Sequence, residues 1–322
     1  MYTRSIPVAG LTLLLFASFV SAQSYPDKPI RMIVAVPAGG TADVVGRMAQ
    51  PALVRILGQQ VVMDNRGGAG GMLGAETAAK AAPDGHTLFF CAPGPLTVLP
   101  HLYKKVGYDP RRDFAPVGLV SIGPFLLVSH PGDPYKTVKE LIALAKASPG
   151  KIKYASAGSG SSNHLAAESL KNMAGIDLTH VPYRGAPQGV TEVIGGHVNL
   201  TFGSIPPLLP HVKTGRLHLL GISSAKRSGI LPDVPTLSEA GIPGYAWSTW
   251  LGLLVPARTP APIVEKLHAA MVKTFNTPEM KSQLEVLGYD VILSSPQEFS
   301  AFIRTEWEKN AKVVKLSGAK VD

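Results

Sequence analysis

Apolar residues along the chain fall into short β-branched runs, separated by stretches in which they recur every three or four positions. Residues 30–36 form the first run and read as a buried strand. Pro37, Gly39 and Gly40 end it. Behind Thr41, a favoured N-cap residue, Val44, Val45, Met48, Ala49, Ala52 and Leu53 mark one helical face. The succession then returns. Strands over 60–63, 87–91, 125–129, 152–156, 198–202 and 217–223 alternate with helices over 73–82, 137–147, 163–174 and 188–194. That alternation predicts an α/β fold with doubly wound sheets. Past Gly244 the pattern changes. Residues 247–255 read as an aromatic, apolar strand, and Pro262, Pro278 and Pro296 each open a helix. These last helices are expected to cover the first domain, so the chain crosses between domains twice, near Gly123 and near Gly244. Residues 23–124 and 245–322 then form domain 1, and 125–244 form domain 2, with a ligand cleft between them.

Residues 1–22 stand apart. Arg4 precedes a largely apolar stretch, and Val20, Ser21 and Ala22 give a small-residue cleavage pattern. A signal peptide cleaved after Ala22 implies a periplasmic protein. Cys91 is the only cysteine, so no internal disulfide and no cysteine-rich metal site is expected. The net charge of +9 is spread along the chain, with Lys104–Lys105 and Arg111–Arg112 as close pairs. No basic stripe is interleaved with aromatics, which argues against nucleic-acid binding. The positive field suits an anionic ligand.

The candidate chemistry lies in the loops that follow strands, which line the ligand crevice of open α/β sheets. In the first of these, Ala38, Gly39, Gly40 and Thr41 lead into a helix N-terminus, where unpaired backbone N–H groups and the helix dipole favour an anion. Asn65 ends the second strand, beside a glycine-rich loop that lacks the spacing of a nucleotide site. Pro93 and Gly94 leave the third strand. Ser159, Ser161 and Ser162 repeat the opening pattern with hydroxyls added. Tyr183 and Arg184 suit carboxylate recognition. Gly203 and Ser204 follow a further strand, and Trp247 and Phe125 are placed to flank a ring. No cofactor is expected.

The motifs together resemble the Bug family, the substrate-binding proteins of tripartite tricarboxylate transporters. The matching stretches are 25–33, 37–43, 65–71, 83–85, 158–164 (which brings in His164), 183–185 and 232–241. The resemblance implies a two-domain, Venus-flytrap, type II-like periplasmic binding fold that captures a small anionic organic acid by hinge closure. It implies a carboxylate held between Ala38–Thr41 and Ser159, Ser161 and Ser162, and delivery to integral-membrane transporter subunits. A monomer is expected. Many members of the family carry Asp where this chain has Gly203, and that departure argues for a dicarboxylate or aromatic acid over an amino acid. Two other readings stand beside transport. One is a ligand sensor for a membrane signalling partner. The other is a serine β-lactamase-like hydrolase, from Ser148 to Lys151, Ser161 to Asn163 and Lys213 to Gly215, but Pro149 and Gly150 oppose the helix such a nucleophile needs. The expectation is a binding protein and not an enzyme.

Overall fold

The computed structural model describes residues 25–317. The expected signal peptide and its cleavage site lie outside the described residues. The chain runs β1 (Ile30–Val34), α1 (Thr41–Leu57), β2 (Val61–Asn65), α2 (Met72–Ala79), β3 (Thr87–Cys91), α3 (Leu99–Leu102), β4 (Phe114–Ser129), α4 (Val138–Ala147), β5 (Lys153–Ser156) and α5 (Ser162–Ala174). It continues with β6 (Thr179–Pro182), α6 (Ala186–Ile194), β7 (Leu200–Ser204), α7 (Ile205–Lys213), β8 (His218–Ile222), β9 (Ser248–Pro256), α8 (Ala261–Phe275), α9 (Pro278–Val286), β10 (Asp290–Val291) and α10 (Pro296–Ser317).

The strands join in the order β2-β1-β3-β9-β4-β7-β5-β6, with β8 and β10 also on β4. The sheet as a whole is mixed. β1, β2 and β3 are parallel, as are β5, β6 and β7, but β4 and β9 run against their neighbours. The reason is β4 itself, a 16-residue strand of which the sequence pattern showed only the second part. Its first part pairs with β9 and its second with β7 and β8. The partners change between Gly123, opposite Thr249, and Phe125, opposite Ser204. The chain returns at Trp247, whose N–H donates to Ser223 O at 2.7 Å, while Ser223 Oγ accepts from Phe125 N–H at 2.7 Å. Two strands thus cross side by side at one place.

Strand alternation sends side chains to both faces of each half of the sheet, and helices cover both. In the first half, Ile30, Met32 and Val34 pack with Val45, Ala49 and Leu53 of α1, and Ile33 and Phe89 pack with Ala75 of α2 and Phe299 of α10. In the second, Leu127 and Tyr154 pack with Leu141 of α4 and Leu165 of α5, and Leu126 and Val128 pack with Val193 of α6 and Leu208 of α7. Each fully buried side chain of this size contributes about 1.5–3 kcal/mol. α10 serves both halves: Phe299 belongs to the first core, and Val314 lies in the second with Tyr245 and Trp247.

Candidate functional site

A cavity of about 110 Å³ opens between the two halves, above the crossing strands. Four helices start at its wall. α1 begins after the N-cap Gly40, α5 after Ser161, α6 after Gly185 and α7 after Ser204, and all four caps line the cavity. The first N–H groups of each helix have no partner within it, so Thr41 and Ala42 of α1, Ser162 and Asn163 of α5 and Ala186 of α6 present donors here. Their dipoles add a positive potential. Arg184 is the one charged residue among the described residues lining the cavity, and its guanidinium is exposed at the rim.

The structure moves the donors of the first turn by one residue. Gly39 N–H is taken by Asp43 Oδ2 at 2.9 Å and Gly40 N–H by Pro37 O at 3.1 Å. Ala38 and Gly39 form the exposed tip of the turn and do not reach the cavity. Thr41 is not the cap but the first helical residue, and its hydroxyl bonds that of Ser204 across the cleft. Asp43, 3% exposed, braces the turn from behind. Burial pushes its carboxyl up, but hydrogen bonds from Arg47, Gly39 N–H and Asn65 outweigh this and hold it below the usual range.

Gly40, Thr41, Gly94, Ser161, Ser162, Arg184, Gly203 and Ser204 come together around the cavity. The other expected residues stand outside its lining. Asn65 turns into the first loop, donating to Val36 O and Asp43 Oδ1. Pro93 is buried at the start of a helical turn, and its carbonyl accepts from Thr97. Ser159 lies in the contact between the halves, where a Cβ on Gly70 would come 2.9 Å from its carbonyl oxygen. Tyr183 packs against the core of the second half that holds Val190 of α6. Trp247 packs in the second core under Lys309. Gly203 faces the cavity by its backbone alone: a Cβ there would sit 2.8 Å from Leu208 Cδ1, so an Asp would enter the core and not the cleft. Tyr289, Asn163, Gly70 and Thr249 line the cavity and were not anticipated. The three hydrolase-like motifs do not converge, since Ser148 ends α4 and Thr214 ends α7, both away from the cavity.

His164 lies behind the serine loop. Its Nδ1 accepts Gly160 N–H at 3.0 Å, so its neutral form carries the proton on Nε2. His180 stacks on it at 4.1 Å, and Tyr154 stacks on His180 at 4.9 Å. Burial and Lys171 lower the His164 pKa to about 4, and burial, His164 and Lys171 lower that of His180 to about 3. The unfolded chain takes up these protons near pH 6.5 and the folded chain resists. Stability is therefore expected to fall as pH drops from 6.5 to 4, by about 3 kcal/mol for His164. Urea midpoints at pH 7 and 4 measure this against His164→Gln, and equal slopes in parent and variant would remove His164 as the cause.

The halves touch around the cavity. A Cβ at Gly158 would lie 3.2 Å from Gly70 N, and one at Gly185 would lie 2.4 Å from Pro37 Cγ. Such approaches need glycine, and they describe a closed cleft.

Comparison with known proteins identifies the family and the fold. The profile of the tripartite tricarboxylate transporter family receptor matches residues 45–318. BugT of Bordetella pertussis is 34% identical over 99% of both chains. The solved structure of R. palustris Rpa4515 with adipate has a TM-score of 0.89 at 32% identity, covering 92% of this chain and all of that one. MatC from Rhodopseudomonas palustris with bound malate has a TM-score of 0.86 at 31% identity, covering 90% of this chain and 100% of that one. This chain belongs to the tripartite tricarboxylate transporter family of receptors, the periplasmic solute-binding proteins that include the Bug proteins.

Proposed function

We propose that the protein captures a small organic acid, a di- or tricarboxylate or an aromatic acid, between its two halves and delivers it to the membrane subunits of a tripartite transporter. The observation that carries this reading is the convergence of four helix N-termini on one enclosed cavity that no acidic side chain of the described residues lines. One carboxylate fits the N–H groups of Ser162, Asn163 and Ala186, with Arg184 above it. Residues 23–124 with 245–322 and residues 125–244 act as the two lobes. Open and closed arrangements exchange, and an anion touching both lobes favours the closed one. The protein works as a monomer in the periplasm, freed of its signal peptide after Ala22.

Calorimetry with adipate and with adipamide, its diamide, tests the charge requirement. The acid is expected to bind and the diamide to bind far more weakly, because the donors are arranged for a charged acceptor. Equal affinity for the two would overturn the anion site.

A further inference from the structure

Tyr289 stands where the two halves meet. Just past α9 lies Gly288, whose φ of +77° suits glycine, and Tyr289 N–H closes the cap on Leu284 O at 2.9 Å. This turn sends the side chain back toward the crossing strands. The ring packs against β4 at Gly123, where a Cβ would fall 2.8 Å from it. The side chain is 2% exposed, yet it lines the cavity. Its hydroxyl lies close to the bonded pair Thr41 and Ser204, one from each half, but no hydrogen bond of good geometry joins it to either or to any other described residue. Burial raises the phenol far above its ordinary range, so it remains a neutral donor.

Three hydroxyls therefore meet with three protons. One serves the bond between Thr41 and Ser204. Of the other two, the Tyr289 proton lies near both oxygens but meets neither in hydrogen-bonding geometry, and a buried donor without a well-placed acceptor is costly. α1 and α7 begin at the same point, so the positive ends of two helices back the hydroxyls. The group is short of an acceptor that carries negative charge. It is complete only when both halves and the segment after α9 are in place.

We infer that Tyr289, Thr41 and Ser204 form a subsite at the hinge end of the cleft that receives the second carboxylate of a linear diacid. Tyr289 is then the residue that separates diacids from monoacids of equal length. The inference rests on the anion-binding reading of the cleft and adds the end of the ligand that the α5 and α6 N-termini do not reach.

Tyr289→Phe keeps the ring on Gly123 and removes only the hydroxyl. Parent and variant are titrated by calorimetry with adipate and hexanoate, and with succinate and butyrate, each pair differing only in the far carboxylate. The parent is expected to prefer at least one diacid over its matching monoacid. The variant is expected to lose about tenfold or more in affinity for that diacid while its affinity for the monoacid stays within about twofold. Thr41→Val, which removes a second of the three hydroxyls, is expected to shift the same ratio. Unfolding transitions without ligand verify that each variant is folded. Equal loss for diacid and monoacid, or no loss for either, in both variants would overturn the subsite. A parent that binds none of the four acids would overturn the linear-diacid subsite, while the wider carboxylate reading of the cleft stands or falls with a tricarboxylate and an aromatic acid titrated in the same way.

Discussion

Gly185→Val is expected to leave the protein folded and to weaken ligand binding about 100-fold. The φ at Gly185 is 178°, extended backbone open to any residue, and no side chain caps α6 there. The new Cβ meets nothing within its own half as close as Pro37 Cγ, 2.4 Å away across the cleft. Parting the halves, the movement proposed above for ligand exchange, relieves that overlap. The variant therefore selects against closure without straining either half. Overpacking of this kind costs about 1–3 kcal/mol, which lowers affinity by about 5- to 150-fold, and the two extra methyl groups place the variant near the upper end. Calorimetry with adipate and thermal unfolding without ligand check both arms. Unchanged affinity in a folded variant would show that the cleft binds without closing.

Ser204→Asp is expected to fold and to bind no carboxylate. Asp is as good an N-cap as Ser, so α7 retains its start. The added charge sits beside Thr41 and Tyr289 in the closed cleft, where it fills the place of a ligand anion and repels one. Like charges forced together without water cost several kcal/mol. Ser204→Asn, neutral and of similar size, separates charge from bulk and is expected to retain part of the affinity. Binding of adipate by Ser204→Asp at parental strength would place the ligand away from the α7 N-terminus.

The elements legible in the sequence are those whose signal is local. The strand, glycine turn and helix at 30–57 and again at 152–174 announce themselves by a change of apolar period, and the structure has both. The first part of β4 was not legible because Pro116, Gly118, Gly123 and Pro124 read as loop. It is a strand because β9 pairs along it with shifts of register next to Pro116 and Leu119. The site was legible as loops and not as atoms. Gly39 and Gly40 promised free N–H groups, but Asp43 and Pro37, both close in sequence, already use them. His164 and Trp247 lie next to cleft residues in sequence, yet α5 and the segment that leads into β9 turn both side chains into the second half. Tyr289 gave no local signal beyond the Gly288 cap before it, since its value comes from what lies across the cleft.

The positive character of the enclosed cleft comes from helix ends and hydroxyls between the halves, while the ionic charge of the protein, apart from Arg184 at the rim, lies outside. Salt screens these two contributions differently. Dissolved ions shield the outer charge over about 10 Å at 0.1 M and so slow the approach of an anion. They have little access to a closed cleft. Rising ionic strength is therefore expected to act on the rate of capture and to leave the residence time of a bound acid nearly constant, so that salt changes how fast the protein finds its ligand and not how firmly it keeps it.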